Sequence, residues 1–194
     1  MDDRRLIRDR VEESIATKRR LLDDDVVDAV AHAAELVVAA LGAGEKVVLC
    51  GNGGSAADAT HLAAELVGRF RVDRPPLPAL SLTDNVASLT AIGNDYGYAQ
   101  TFSRQVRALG RPGDVLIALS TSGTSENVVA AVEAARAVGM RTIAFTGASG
   151  GSLGGAADLC VRIPTDDTAR IQEAYMLLGH TICELAERAL FSAE

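Results

Sequence analysis

Two loops of small residues, each lying between an apolar run and an alanine-rich run, constrain this chain more than any other feature. They are GNGGS at residues 51–55 and STSGTS at residues 120–125. Each pattern predicts a strand, a turn and the start of a helix. The first backbone N–H groups of a helix have no internal partner, and the helix dipole places partial positive charge there. The two loops are therefore predicted to bind anions.

Neither loop contains Lys or Arg, so backbone N–H groups and hydroxyl groups would have to bind the anion. This favours a single sugar phosphate over a nucleoside triphosphate. Residues 120–125 include five hydroxyl side chains, enough to surround a tetrahedral anion. Ordinary helix capping is the alternative, but capping uses one Ser or Thr. We therefore predict that the second loop binds phosphate.

The first loop also matches the G-x-G-x-x-G/A pattern of dinucleotide-binding proteins. That pattern expects an acidic residue about 20 residues further on, whereas the nearest fit here is Asp84, which lies 33 residues after Gly51. A dinucleotide enzyme also leaves the second loop without a role. A dinucleotide-binding enzyme therefore remains an alternative that the sequence disfavours.

From Lys46 onward, apolar runs typical of strands alternate with alanine-rich runs typical of helices. Strands are predicted at KVVLC, ALSL, DVLIALS, RTIAFTG and LCVRIP, and a final helix is predicted over 169–191. This alternation predicts an α/β fold, a doubly wound five-stranded parallel sheet with helices on both faces. We predict one domain over residues 1–194, with the α/β core at 44–194. Ligands of such sheets bind beyond the carboxyl ends of the strands, where both loops fall.

The segment before the first strand, residues 1–43, is predicted to be helical from Arg4 to Leu41, with an interruption near residues 23–25. A small sheet would not cover so much helix. The apolar stripe of this segment is expected to pack on another subunit, and packing inside its own domain is the alternative.

The overall composition limits the partners of the chain. The formal net charge is −7, which argues against a nucleic-acid-binding surface. No apolar run approaches about 20 residues, the length of a membrane span, and the charged N-terminus lacks the apolar core of a signal peptide. The three cysteines lie in apolar stretches and are expected to be buried free thiols. A soluble cytoplasmic protein without nucleic-acid or membrane partners is predicted.

Two pairs of polar residues lie in the helical runs. His61 and Glu65 are four residues apart, and Gln172 and His180 are eight apart, so each pair lies on roughly one face of its helix. Two imidazoles, a carboxylate and an amide oxygen match the ligands of a divalent metal such as zinc. The same Glu and His are suited to general acid–base catalysis. Ordinary surface or core polarity is a third interpretation.

Three segments, VLCGNGGSAADATHLAAEL, LSTSGTSENV and ARIQEAYMLLGH, together resemble the bacterial phosphoheptose isomerase family of the sugar isomerase (SIS) domain superfamily. The resemblance covers essentially the whole chain, and the segments agree with the family in order and spacing. It implies the flavodoxin-like SIS fold and a homotetramer with sites built between subunits. It also implies an aldose–ketose isomerase that converts sedoheptulose 7-phosphate into D-glycero-D-manno-heptose 7-phosphate through a cis-enediol, the first step towards activated heptose.

The resemblance implies roles for individual residues as well. Glu65 would be the general base and His180 its partner acid or base. Zinc, one ion per subunit, would be held by His61, Glu65, Gln172 and His180. The substrate would contact a larger set, drawn from both loops and from the middle of the chain. This set comprises Asn52, Gly53, Gly54, Ser55, Glu65, Asn94, Asp95, Ser120, Thr121, Ser122, Ser125 and Gln172.

A non-catalytic member of the same superfamily is the main alternative. Such a protein would bind a replication initiator or sense a sugar phosphate. It is expected to lack the His at the position of His180, which this chain retains. The sequence therefore favours the enzyme.

Overall fold

Residues 3–191 are described by the computed structural model of this chain, and they form eight α-helices and five strands. The strands are β1 (Val47–Gly51), β2 (Ala79–Ser81), β3 (Val115–Leu119), β4 (Arg141–Thr146) and β5 (Leu159–Arg162). The helices are α1 (Asp3–Arg20), α2 (Asp24–Gly42), α3 (Gly54–Val67), α4 (Val86–Tyr96), α5 (Thr101–Leu109), α6 (Glu126–Val138), α7 (Leu153–Ala156) and α8 (Thr168–Phe191). All five predicted strands are present, and their ends agree with the prediction within two residues.

The five strands form one parallel sheet in the order β2-β1-β3-β4-β5, which confirms the predicted doubly wound fold. The order reverses between β1 and β3, where Gly51 lies beside Leu119. This arrangement is flavodoxin-like and differs from the 3-2-1-4-5-6 order of the dinucleotide-binding sheet. It therefore counts against the dinucleotide alternative. Ligands of such sheets bind at the switch point, which here lies between the first and second loops.

The central strands are buried on both faces, as their continuous apolar sequences predict. In β1, Val47 and Leu49 face a core formed with α2, α3 and α8. Val48 and Cys50 face a second core formed with α5 and α6. This alternation follows from the two-residue period of a strand. Helices α3 and α8 consequently share one face of the sheet, and the start of each lies near the edge that carries both loops.

The N-terminal segment forms two helices, α1 and α2, which are separated at residues 21–23, so the predicted interruption is confirmed. Helix α2 packs on α8 and on the sheet through residues such as Val30 and Val37. The alternative of packing within the domain therefore holds for α2. Helix α1 buries only Thr17, and its packing on another subunit stays a prediction. Its exposed apolar side chains are Leu6, Ile7, Val11 and Ile15.

Two local features lie between the strands. Helix α4 continues through Gly93 to Tyr96, and the chain then turns at Gly97, which has a φ of +85°. The segment between β4 and β5 contains one helical turn, α7. Within residues 3–191, no helix combines the length and the apolar character needed to cross a membrane.

Candidate active site

The two small-residue loops are joined by a pair of amide side chains. Asn52 in the first loop and Asn127 in the first turn of α6 exchange two hydrogen bonds of 2.8 and 2.9 Å. The Tyr98 hydroxyl donates a third hydrogen bond to Asn52 Oδ1, at 2.8 Å. Because Asn127 is only 2% exposed, the amide pair fixes one loop relative to the other. Asn127 was not predicted from the sequence, although a polar residue on the buried face of an apolar helix is a signal that indicates such a contact.

The second loop keeps its hydroxyl groups close together at the start of α6. The Ser120 and Ser125 oxygens are 3.1 Å apart. Ser122 Oγ accepts hydrogen bonds from the backbone N–H and the hydroxyl of Thr124. Ser125 is the N-cap residue of α6, yet its side chain makes no capping hydrogen bond. Helix capping therefore does not account for Ser125, which favours the anion-binding interpretation.

The segment between β4 and α7 packs against the second loop. The Gly147 N–H donates to the Thr121 carbonyl, and the Leu153 N–H donates to the Gly123 carbonyl, both at 2.9 Å. Gly123 has a φ of +67°, and a Cβ atom there would lie 2.2 Å from the carbonyl oxygen of Gly150. Only glycine fits this position, so the conformation of the second loop depends on it.

Gly123→Ala is therefore expected to shift the second loop, to destabilise the protein by more than about 1 kcal/mol, and to weaken the binding of phosphate. Denaturant unfolding and calorimetric titration with inorganic phosphate measure the two effects. Gly155→Ala is the matched control, since nothing lies within 4 Å of the Cβ position of that nearby glycine. Equal phosphate affinity in the two variants would contradict the role given to the loop.

His61, Glu65 and His180 come together where α3 faces α8. Glu65 Oε1 lies 3.0 Å from His61 Nε2 and 4.0 Å from His180 Nε2. The two imidazole nitrogens are 3.4 Å apart. The side chains of His61, Glu65 and His180 are 52%, 23% and 31% exposed, so the cluster is open to small molecules. The structure thus unites three of the four residues that the sequence analysis proposed as metal ligands.

The close approach of α3 and α8 creates this cluster. A Cβ atom on Gly179 would lie 2.6 Å from the Leu62 side chain. Leu62 directly follows His61, and Gly179 directly precedes His180. A larger residue at 179 would push the helices apart at the level where the three functional side chains meet.

The donor atoms of the cluster fit a tetrahedral metal ion. Zinc binds imidazole nitrogen and carboxylate oxygen at about 2.0–2.2 Å, so neighbouring ligand atoms in a tetrahedral site lie about 3.4 Å apart. The three separations here are 3.0, 3.4 and 4.0 Å. These atoms are therefore able to hold a metal ion after small side-chain movements, with a further ligand completing the coordination.

Gln172 lies about two helical turns before His180 on α8. Its carboxamide contacts the first loop, since a Cβ atom on Gly54 would overlap the Gln172 side chain. Gly53 is the N-cap residue of α3, and Ser55 is buried in the first turn of that helix. The Gln172 side chain thus lies beside the first loop and not beside His180.

Asn94 and Asp95 lie in the last turn of α4. Both are exposed, and they are hydrogen-bonded to each other at 2.8 Å. The chain continues from them to Tyr98, which reaches Asn52. The contact of Asn94 and Asp95 with substrate stays a prediction.

A buried ion pair beside the cluster was not foreseen from the sequence. Glu187 and Arg74 are 2% and 1% exposed and lie 3.0 Å apart. The Glu187 carboxylate accepts hydrogen bonds from the backbone N–H groups of residues 70–72 at 2.7–3.2 Å. Arg74 also donates to the Glu65 carbonyl, at 2.9 Å. The pair thus holds the segment after α3 against α8.

The charge of Glu187 is stabilised by these contacts. Burial has the largest influence and acts to raise the pKa of the Glu187 carboxyl. The three backbone N–H donors and Arg74 outweigh it, so the pKa lies below its usual value. Glu187 is therefore ionised in the folded protein at neutral pH.

Asp58 is a further titratable group near the cluster, about one turn before His61 on α3. Its Oδ2 atom is buried and has no hydrogen-bond partner among the described residues. Burial raises the pKa of Asp58 to about 6, against the opposing influence of His61. Asp58 was not predicted from the sequence as a site residue.

Comparison with known proteins identifies the family. The SIS domain profile matches residues 12–147. A phosphoheptose isomerase from Roseiflexus sp. strain RS-1 is 54% identical over 187 residues, which cover 96% of this chain and 94% of that relative. The chain belongs to the phosphoheptose isomerase family. This confirms the resemblance identified from the sequence.

Two further members of the family support the assignment. The phosphoheptose isomerase of Rhodospirillum rubrum is 56% identical over 168 residues, which cover 87% of this chain and 89% of that relative. The structure of a phosphoheptose isomerase from Francisella tularensis matches with a TM-score of 0.93 and 41% identity. The match covers 97% of this chain and all of the other. The shared fold thus includes the N-terminal helices and α8.

Proposed function

We propose that this phosphoheptose isomerase family member converts sedoheptulose 7-phosphate into D-glycero-D-manno-heptose 7-phosphate, the first step towards activated heptose. The observation that carries the proposal is the cluster of His61, Glu65 and His180 in a chain whose second loop is suited to phosphate. An aldose–ketose isomerisation needs a group that moves a proton between carbons 1 and 2 and a partner for the hydroxyl protons. His180 lies 3.4 Å from His61 within this cluster, which favours an enzyme over a non-catalytic binding protein.

The phosphate is assigned to the second loop, where Ser120, Thr121, Ser122 and Ser125 would bind it together with the start of α6. From Gly54 to His61, α3 rises about 10 Å, so the cluster lies well away from the first loop, to which Asn127 joins the start of α6. The phosphate and the reacting carbons of an open-chain heptose phosphate also lie at opposite ends. Phosphate binding would therefore orient the reacting end without contacting it.

The body of the sugar is assigned to the first loop and its surroundings. The Asn52 amide is held by Asn127 and Tyr98, so it is oriented before substrate binds. The Gln172 carboxamide lies at Gly54, where it is able to bind a sugar hydroxyl. The proposed contacts are Asn52, Gly53, Gly54, Ser55, Asn94, Asp95 and Gln172.

Glu65 is the proposed general base. It would take the proton from carbon 1 of the ketose and return it to carbon 2, through a cis-enediol. Both imidazole contacts of Glu65 involve Oε1, which leaves Oε2 to accept the proton. His180 would carry the hydroxyl proton between the two oxygens or assist ring opening.

Zinc is the proposed cofactor, with one ion per subunit. Its proposed ligands are His61, Glu65 and His180, whose donor atoms converge, and, as the family resemblance implies, Gln172, whose carboxamide lies at Gly54 in this structure. When bound, zinc supplies Lewis-acid stabilisation of negative charge on the sugar oxygen. Glu65 would then use one oxygen as a ligand and the other as the base.

A homotetramer with sites between subunits is the proposed assembly, with residues 1–43 as the oligomerisation segment. The exposed apolar side chains of α1 support this proposal, because a contiguous exposed apolar surface marks a site of association. Helix α1 is also tied to α8 next to Gln172. Ser14 donates to Glu173 at 2.6 Å, and Lys18 pairs with the same carboxylate at 3.4 Å.

A cytoplasmic location is also proposed. Cys50, Cys160 and Cys183 are all free thiols, which fits a reducing compartment. Cys50 and Cys183 are buried as predicted, whereas Cys160 is only partly buried. Burial raises the pKa of both Cys50 and Cys183 to about 12, so these two thiols stay protonated and unreactive.

The proposed activity is tested by following sedoheptulose 7-phosphate by NMR, with and without added zinc. We expect turnover by the wild type and a loss of about 10²–10⁴-fold in His180→Ala. His32→Ala is the matched control, since His32 is exposed on α2 and away from the cluster. A well-folded wild type that leaves this substrate unchanged under both conditions would overturn the proposal.

A further inference from the structure

Phe70 covers one face of the His180 imidazole. The two rings are stacked, with centroids 5.2 Å apart and planes inclined by 19°. His61 meets the same imidazole edge-on, with centroids 5.1 Å apart and planes inclined by 66°. An exposed imidazole rotates over a broad range about its last side-chain torsion. A flat contact on one face and an edge contact with His61 together restrict that rotation.

Phe70 is itself held by the buried ion pair. Its backbone N–H donates to Glu187 at 2.7 Å, and Glu187 is paired with Arg74. The Arg71 guanidinium lies 5.0 Å from the centroid of the Phe70 ring and pairs with Glu184 at 3.5 Å. The ring is therefore fixed through its backbone and contacted by a neighbouring cation.

The same network reaches the other proposed catalytic residue. Arg74 donates to the carbonyls of Glu65 and Leu66, at 2.9 and 2.7 Å. These carbonyls lie in the last turn of α3, where no helical N–H is available to them. One buried ion pair thus anchors the backbone of Glu65 and the aromatic ring on His180.

From this arrangement we propose that Phe70 is a positioning residue for His180, and that the Glu187–Arg74 pair keeps it in place. The inference rests on the proposed function, because it concerns the residue assigned to hydroxyl proton transfer. Phe70 touches neither loop in this role. It acts through the imidazole, so its removal changes the chemical step more than the binding of the sugar phosphate.

The kinetic test compares Phe70→Leu with two control variants, Phe70→Tyr and Phe191→Leu. Phe191 also lies near Arg74, with its ring centroid 5.8 Å from the guanidinium carbon, and belongs to the end of α8. We expect Phe70→Leu to lower kcat by about tenfold, since small misplacements of a catalytic group cost one to two orders of magnitude, with KM nearly unchanged. Phe70→Tyr restores the flat contact and should keep kcat near the wild-type value, as should Phe191→Leu.

The second readout is independent of activity. The chain contains three histidines, so its labelled imidazole NMR spectrum is simple, and His32 serves as an internal reference. Protons over the face of an aromatic ring are shifted upfield. We expect the His180 ring signals to lose this shift in Phe70→Leu and to keep it in Phe70→Tyr.

The outcomes separate the inference from the proposed function. A wild type without isomerase activity would overturn the function, while the His180 signals would still report the stack. An active Phe70→Leu variant with wild-type kcat would overturn the inference, as would unchanged His180 signals. Equal losses of kcat in Phe70→Leu and Phe191→Leu would also overturn it, because they would indicate a general effect on the fold.

Discussion

Glu65→Gln is expected to lower kcat by about three orders of magnitude, the contribution typical of a well-placed general base. Glutamine has the same shape but cannot accept the proton from carbon 1. Phosphate affinity should change little, because Glu65 lies about three turns along α3 from Gly54 and the second loop belongs to a different segment, between β3 and α6. Turnover by NMR and titration with inorganic phosphate measure the two quantities.

The zinc content of each variant separates the two roles proposed for Glu65. A Glu65→Gln variant that retains zinc and loses turnover assigns the loss to the missing base. Glu133→Gln is the control, since Glu133 is exposed on α6 on the other side of the sheet. Wild-type turnover in Glu65→Gln would remove Glu65 from the reaction.

The fold and the two loops could be predicted because their signals are local. The strand β3 is a continuous apolar run that ends in a run of hydroxyl residues, and this pattern fixes both the strand and the turn after it. His61 and Glu65 are one helical turn apart, so their shared face follows from the spacing alone. The ligand types suggested that His180 joins them in one metal site, and the family resemblance implied the same set, because spacing along one helix cannot indicate which other helix it meets.

The parts that sequence reasoning missed depend on contacts between distant residues. Arg74 and Glu187 are 113 residues apart, and each is an ordinary charged residue in its own segment. Asn52 and Asn127 are 75 residues apart, and only the sheet order brings them together.

We expect the largest decrease in the free energy of unfolding when the Glu187–Arg74 pair is broken. Glu187→Gln should destabilise the protein by about 3–5 kcal/mol, because it leaves a buried guanidinium without its counter-charge. Glu184→Gln is the matched control: the same substitution three residues earlier on α8 affects an exposed pair and should cost less than about 1 kcal/mol. Urea unfolding at one fixed protein concentration measures both, so that any contribution of the proposed assembly to stability is the same for each variant.

The pH dependence of the same variant provides a separate check on the ionised state of Glu187. Because the pKa of Glu187 lies below its usual value in the folded protein, its charge stabilises the fold above the pKa of an unfolded Glu, about 4.3. This stabilisation is lost as the pH falls through the folded pKa. The difference in the free energy of unfolding between wild type and Glu187→Gln should therefore be constant near neutral pH and shrink on acidification below about pH 4. If this difference in the free energy of unfolding stays constant below about pH 4, the ionised carboxylate of Glu187 does not hold Arg74 and the segment beside His180 in place.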